Sequence, residues 1–254
     1  LVEGMARQIR ERAGECLTTG SLAFRVAERA GKVEVDLWQP AAGRTLRVIA
    51  EQLIWAAPLF LVPYVFVGQE RLAVAARAFT TAPWLIANLA LERLPEDRAG
   101  AAMAWDNVLY DSQGLGYVVS THQLMRQHPG ATVFTYYRAL SDLPPAAGRA
   151  MLQEMACEHW TEQVLSDLER VHRDIRQVTT HIDVFRNAHA MVRPLPGLIW
   201  GRERRLFAAD YPRLRFAHAD VSGLSIFEEA QYRGVLAAER TLRRLGRTFA
   251  SSLR

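Results

Sequence analysis

Apolar and polar positions along the chain change period several times, and each change marks an element. Val33, Val35 and Leu37 alternate with polar neighbours, the Pro40 to Gly43 stretch breaks the run, and residues 53–57 form an apolar strand stopped by Pro58. Residues 23–58 therefore predict a β-meander leading back into a core sheet. Residues 71–90 are apolar and read as mostly helical or irregular, with a break at 95–100. Strands are expected over 103–110, 115–121, 132–137 and 178–185, with turns at 111–114 and 128–130, making an antiparallel sheet. Before the last of these strands, Pro144 and Pro145 precede one long helix whose Leu152, Ala156, Trp160, Val164, Leu168 and Val171 share a face that packs on the sheet. An irregular loop from Arg193 to Gly197 leads to a strand at 214–218, a Ser/Gly turn and a final helix over 227–245. Internal repeats and low-complexity tracts are absent.

Composition narrows the class. Half of the 254 residues are hydrophobic, enough for a substantial core. The net charge of +4 suggests nucleic acid at first sight, but Lys32 is the only lysine, and the arginines are interleaved with Asp and Glu on polar helix faces. No nucleic-acid partner is expected. Cys16 and Cys157 fit neither a disulfide framework nor a zinc site, and no metal is expected. The apolar stretch 53–67 is interrupted by Pro58 and Pro63 and is short for a span of about 20 residues, so no transmembrane segment is expected. The expectation is a soluble protein, of the cytoplasm rather than the periplasm.

The segment with the most chemistry lies near the C-terminus. Phe216, Ala217, His218, Ala219 and Asp220 form a strand ending in a carboxylate, Ser222 and Gly223 a turn, and a helix follows from Phe227. Its N-terminus presents N–H groups and the positive end of the dipole, suited to a carbonyl, a phosphate or a reduced flavin anion. Ala230, Gly234 and Ala238 give that helix a small face that lets its backbone approach a strand or a flat ring. The plain alternative is a well-packed terminal helix capped by Ser225. The same run resembles the C-terminal flavin motif of the flavin amine oxidase and phytoene desaturase superfamily, a strand ending Phe-Ala-Gly-Asp/Glu, then a loop, then a helix opening Glu-Gly-Ala. Here one residue is added before Asp220, and the glycine between Glu229 and Ala230 is lost.

The resemblance implies FAD as cofactor and a small organic molecule as substrate. Asp220 would lie near the ribityl-pyrophosphate linker, and Ser222, Gly223, Ile226, Phe227 and Glu228 would form the turn and helix start facing the pyrimidine edge. Two earlier segments agree in order: Ala57 and Pro58 resemble the close of the return strand, and Val26 the valine at the adenine end. The implied fold is α+β, an incomplete Rossmann-like FAD lobe plus an antiparallel-sheet substrate lobe. Its segments are 1–60, the meander and return strand; 61–190, the substrate lobe; and 191–254, the flavin-contacting strand, loop and helix.

The Gly-x-Gly-x-x-Gly fingerprint of that family does not occur. Gly114 and Gly116 lie in a hairpin, without a third glycine or a following helix. The chain is therefore expected to be the C-terminal portion of an oxidoreductase, enzymatic as the full-length protein. No lysine corresponds to the one many amine oxidases place near the flavin, which leaves oxidase, dehydrogenase and desaturase chemistry open. The alternative is a non-catalytic binding module that kept the fold without flavin. For the substrate wall the sheet offers Trp105, Asp106, Tyr117, Phe134, Tyr136 and Tyr137, although alternate members of a strand are core residues, and Tyr136 and Tyr137 cannot both face a pocket. Asp106 suits an ammonium. His122 or His189 could assist proton removal, and Arg193 could meet a substrate carboxylate. Oligomeric state is open.

Overall fold

The structure, a computed structural model, describes residues 2–96, 100, 102–121 and 130–253. The chain divides into two compact units, Leu1–Phe79 with Pro194–Arg254, and Thr80–Arg193. Residues 61–79 belong to the first of these, whereas the sequence pattern assigns them to the substrate lobe.

The first unit opens with helix α1 (Val2–Ala13) and the antiparallel meander β1 (Leu22–Arg29), β2 (Lys32–Gln39) and β3 (Arg44–Ala50). Ala30 and Gly31, both at positive φ, make the two-residue turn between β1 and β2, a geometry that matches strand twist. Within the meander Asp36 accepts two bonds from Arg47, at 2.6 and 2.9 Å, and one from Arg25 at 3.4 Å. Strand β4 (Leu53–Trp55) and the short helices α2 (Val62–Val65) and α3 (Glu70–Ala76) complete this part.

The second unit holds β5 (Thr81–Leu91), β6 (Asp106–Asn107), β7 (Gly116–Val119), β8 (Thr132–Ala139), helices α4 (Pro145–Glu154), α5 (Cys157–Glu169) and α6 (Ile175–Val178), and β9 (Thr179–Val192). Its sheet runs β6-β7-β8-β5-β9, antiparallel at every pairing. One face is packed by the helices: Leu85, Leu89, Phe134 and Tyr136 bury against Leu152, Trp160, Val164 and Leu168. At about 25 cal/mol per Å2, this apolar face is the main stabilisation of the unit.

The chain then returns to the first unit with α7 (Arg202–Ala208), β10 (Leu214–Phe216) and α8 (Phe227–Arg244). β10 pairs with β4 in parallel, Arg215 opposite Ile54, and among the described residues this is the parallel pairing between named strands. An aromatic line, Trp55–Phe66–Phe216–Phe207–Phe79, with centroids 4.8 to 5.9 Å apart, forms the core beneath it.

Three expectations are corrected. Residues 81–91 are not helical but form the central strand of the larger sheet. Their Ala and Leu content favours helix and hides the alternation, and Pro83 is accommodated where the pairing with β9 shifts register between Ala82 and Trp84. The single long helix is two, because Met155 and Ala156 are extended, while the apolar period runs across the break. The strand expected at 103–110 shrinks to Asp106–Asn107, since the Asn107 side chain closes on the backbone N–H and carbonyl of Ala104, both at 2.8 Å. Gly116 is required here: at φ 110°, a Cβ would stand 1.8 Å from the carbonyl oxygen of Asn107. Gly116 thus serves the close approach of β6 to β7, and Gly114 leaves room for the Tyr136 ring.

Candidate functional site

In the first unit, strand β10 ends at Phe216, and the Ala217 N–H bonds Trp55 O at 2.8 Å. His218 then caps a tight turn over Ala219–Ser222, its Nδ1 accepting the Asp220 N–H at 3.1 Å. Asp220 is buried, and its Oδ2 accepts the Leu59 N–H at 3.0 Å, tying this turn to the end of the return strand. His218 Nδ1 also stands 3.1 Å from that oxygen. The two histidine contacts exclude one another: Nδ1 without a proton accepts from the backbone, and Nδ1–H donates to the carboxylate. Gly223 leaves the turn at φ 76°, in the left-handed region, and Ser222 Oγ accepts from Arg233 Nε at 2.7 Å. These bonds use Asp220 and Ser222 to hold the turn's shape, so a ligand would meet backbone more than those side chains.

Helix α8 follows with Ile226 as an extended N-cap that offers its first turn no side-chain oxygen. Leu224, Ile226 and Phe227 are exposed beside these N–H groups, an apolar surround for an electron-rich edge. Glu228 is exposed on the same turn, where its charge complements the dipole. The small face expected of this helix is not used for close packing: nothing lies within 4 Å of a Cβ built on Gly234. Val26 is buried, and its carbonyl accepts the Val67 N–H at 2.9 Å, while Ala57 and Pro58 are half-buried at the end of the return strand.

In the second unit, the sheet face away from the helices is polar and aromatic. One cross-strand row reads Asp106, Val118, Thr135, Asn88, Asp183, and the next reads Gly116, Tyr137, Ile86, Phe185. Tyr137 donates to Asp106 Oδ1 at 2.7 Å and stacks on Trp84, centroids 6.3 Å apart. Thr135 donates to Asn88 at 2.8 Å, and His181 pairs with Asp183 at 3.0 Å. Burial first, then the bond to Asp106, pushes the Tyr137 hydroxyl up to about 12. Four inter-strand steps of about 4.8 Å put the two carboxylates roughly 19 Å apart, so each serves its own end of the row. Among the described residues of these strands this face carries no Lys or Arg.

The structure separates the expected substrate residues. Asp106 is exposed on the open face, Tyr117 and Tyr136 lie on the covered face by strand alternation, and Trp105, exposed, precedes β6. Tyr117 is buried, its hydroxyl 2.6 Å from His172 Nε2, and stacks on Phe134 at 4.7 Å. Tyr136 donates to Asp167 at 3.0 Å at the edge of a polar cleft of about 390 Å3 that Ser112, Arg138 and Arg170 also line. Trp105 lines a separate cleft of about 430 Å3 with Leu94, Met103 and Thr121. His189 bonds Thr81 Oγ1 at 2.7 Å near the far end of β9, and burial, then the Arg149 charge, lowers its pKa. Arg193 follows β9, its N–H on Thr80 O at 2.8 Å. His122 lies outside the described residues. Trp84, Asn88, Thr135 and Phe185 were missed, because a face cannot be assembled while its central strand is read as helix.

No protein-family profile and no curated protein matches the sequence. Solved structures do match. Cyclohexylamine oxidase from Brevibacterium oxydans IH-35A superposes on 89% of this chain with a TM-score of 0.65 at 9% identity. A protein assigned as a protoporphyrinogen oxidase from Exiguobacterium sp. 255-15 superposes on 94% with a TM-score of 0.62 at 13% identity. The chain has the fold of part of these oxidases. It spans about half of their length, 49% and 51%. Turn, helix and sheet thus belong to a mixed α+β architecture seen in oxidoreductases. No helix among the described residues is long and apolar enough to cross a membrane, and none of their His, Cys, Asp and Glu groups forms a metal-binding cluster.

Proposed function

We propose that this chain is the flavin-contacting and substrate-binding portion of an FAD-dependent oxidoreductase that oxidises a small organic cation, most simply an amine. The observation that carries the reading is the Asp220 turn followed by an α8 N-terminus whose N-cap offers it no side-chain oxygen and which exposed apolar residues surround. The donor set fits a flavin edge: the first-turn N–H groups of Phe227, Glu228 and Glu229 suit a carbonyl or an anionic ring, and Leu224 and Ile226 suit its planar body. FAD, when bound, supplies the acceptor for two electrons and a proton. The fingerprint that would hold its pyrophosphate is not among these 254 residues, so the proposal concerns a protein that also carries that segment.

The substrate class follows from the charge of the open sheet face. Asp106 attracts an ammonium, Tyr137 orients the carboxylate through its hydroxyl, and Trp84 and Phe185 offer rings on which a cation or an apolar substituent rests. Among the described residues of these strands no Lys or Arg stands on that face to attract a carboxylate substrate. His189, its pKa lowered, is available as a neutral base. The test is anaerobic titration of the FAD-loaded protein with small primary and secondary amines. Bleaching of the oxidised-flavin spectrum by amines, and not by matched carboxylates, is expected. Flavin that binds yet is bleached by neither class, or by carboxylates alone, would refute the substrate class.

A further inference from the structure

Between α7, β10 and the buried side of α8 lies a cavity of about 10 Å3, room for the centre of one water-sized sphere. Three guanidiniums line it, Arg215, Arg233 and Arg240, beside the rings of Phe207 and Phe216, and no carboxylate is among its lining residues. Arg215 is 2% exposed, an unusual position for a charge in a core strand. Its Nη1 bonds the carbonyl oxygens of Tyr211 and Leu214. Its Nε stands 2.9 Å from Asp210 Oδ1, close enough for an ion pair but off the N–H direction, and its Nη2 is buried with no partner. Arg233 bonds Ser222 Oγ and Arg240 bonds Ala208 O, both neutral acceptors. Asp210, the acid beside Arg215, is half exposed and shared with Arg244, and Glu229 acts on Arg233 from the first turn of α8. Burial, together with the charges of Arg204, Arg240 and Arg244 on their respective neighbours, holds the pKa values of Arg215 and Arg233 below the usual arginine range.

We propose that this cavity binds a single monatomic anion, chloride under ordinary conditions, against Arg215 Nη2 with Arg233 and Arg240 facing it. The wall selects the occupant. Guanidiniums only donate, and the nearby carbonyls of Ala208, Tyr211 and Leu214 each already give one lone pair to these same arginines. A water there brings two protons that none of the three guanidiniums can accept, whereas a halide accepts from every side. Carboxylate, phosphate and sulfate exceed the space. The site lies under α8, so its filling stiffens the seat of that helix.

Thermal unfolding of the protein in sodium chloride, sodium bromide and sodium gluconate at constant ionic strength tests this. Tm is expected to rise saturably with chloride and bromide but not with gluconate, and Arg215→Met is expected to abolish the difference. Should Arg215→Met not fold, Arg240→Gln carries the same expectation. Crystals soaked in bromide are expected to show an anomalous peak in the cavity. Equal Tm in the three salts, or a bromide map without that peak, would overturn the assignment and leave water as the occupant.

Discussion

Tyr136 and Tyr137 are neighbours in the chain and stand on opposite faces of one sheet. Tyr136 is buried against α5, and burial together with Asp167 raises its pKa far above the usual tyrosine range. Tyr137 lies on the open face, donates to exposed Asp106 and stacks on Trp84. The covered face joins apolar packing to polar pairs, as in Tyr117 with His172 and Arg138 with Gln163. The open face keeps carboxylates and rings exposed or half-buried. Burial of the first set stabilises the fold, and exposure of the second leaves chemistry available to a ligand.

The sharpest way to break this contrast is truncation on each face. Phe134→Ala, in the covered core, is expected to cost about 3–5 kcal/mol in chemical denaturation, whereas Phe185→Ala, at 49% exposure, should cost under about 1 kcal/mol. Equal losses would mean that the open face is also core. Next comes Gly116→Ala, which forces a side chain into the Asn107 carbonyl and should cost about 2 kcal/mol or more, with β6 detaching and Asp106 losing its place. Hydrogen exchange at β7 reads that detachment.

A smaller effect separates the adjacent tyrosines. Tyr136→Phe removes a donor to half-buried Asp167 and should cost about 1–2 kcal/mol with ligand binding unchanged. Tyr137→Phe should leave stability within about 0.5 kcal/mol and weaken ammonium binding several-fold. The smallest effect is in alkaline titration. Burial pushes the Tyr117 hydroxyl up to about 12 from an ordinary 10. The unfolded chain releases that proton first, so its contribution is constant below pH 10 and falls as pH rises from 10 to about 12. Ultraviolet titration of tyrosinate alongside unfolding follows it, and ordinary titration of Tyr117 would contradict its buried position.

Legibility tracked local chemistry. The meander and the α8 boundaries could be read because turn residues and period changes mark them within a few positions, whereas Phe216–Asp220, expected as a strand ending in a carboxylate, leaves the strand at Phe216 and carries Asp220 in a 3-10 turn. β5 could not: an apolar strand buried mainly through one face, rich in Ala and Leu and carrying Pro83, resembles helix until β8 and β9 are seen beside it. Missing β5 hid Trp84 and Asn88, and without their register the sequence could not say that Tyr136 points inward and Tyr137 outward. Arg215 was invisible for a similar reason, since its burial depends on α7 and α8 meeting over a three-residue strand.

Equilibrium uptake of FAD by the protein carrying its complete reading frame, followed by flavin fluorescence and visible absorbance, tests the flavoprotein reading most directly. The account predicts saturable binding of one FAD per chain, weakened by replacing Gly223 with valine, which cannot adopt the left-handed turn before α8 without strain. A colourless protein that takes up no FAD at saturating concentration would contradict it.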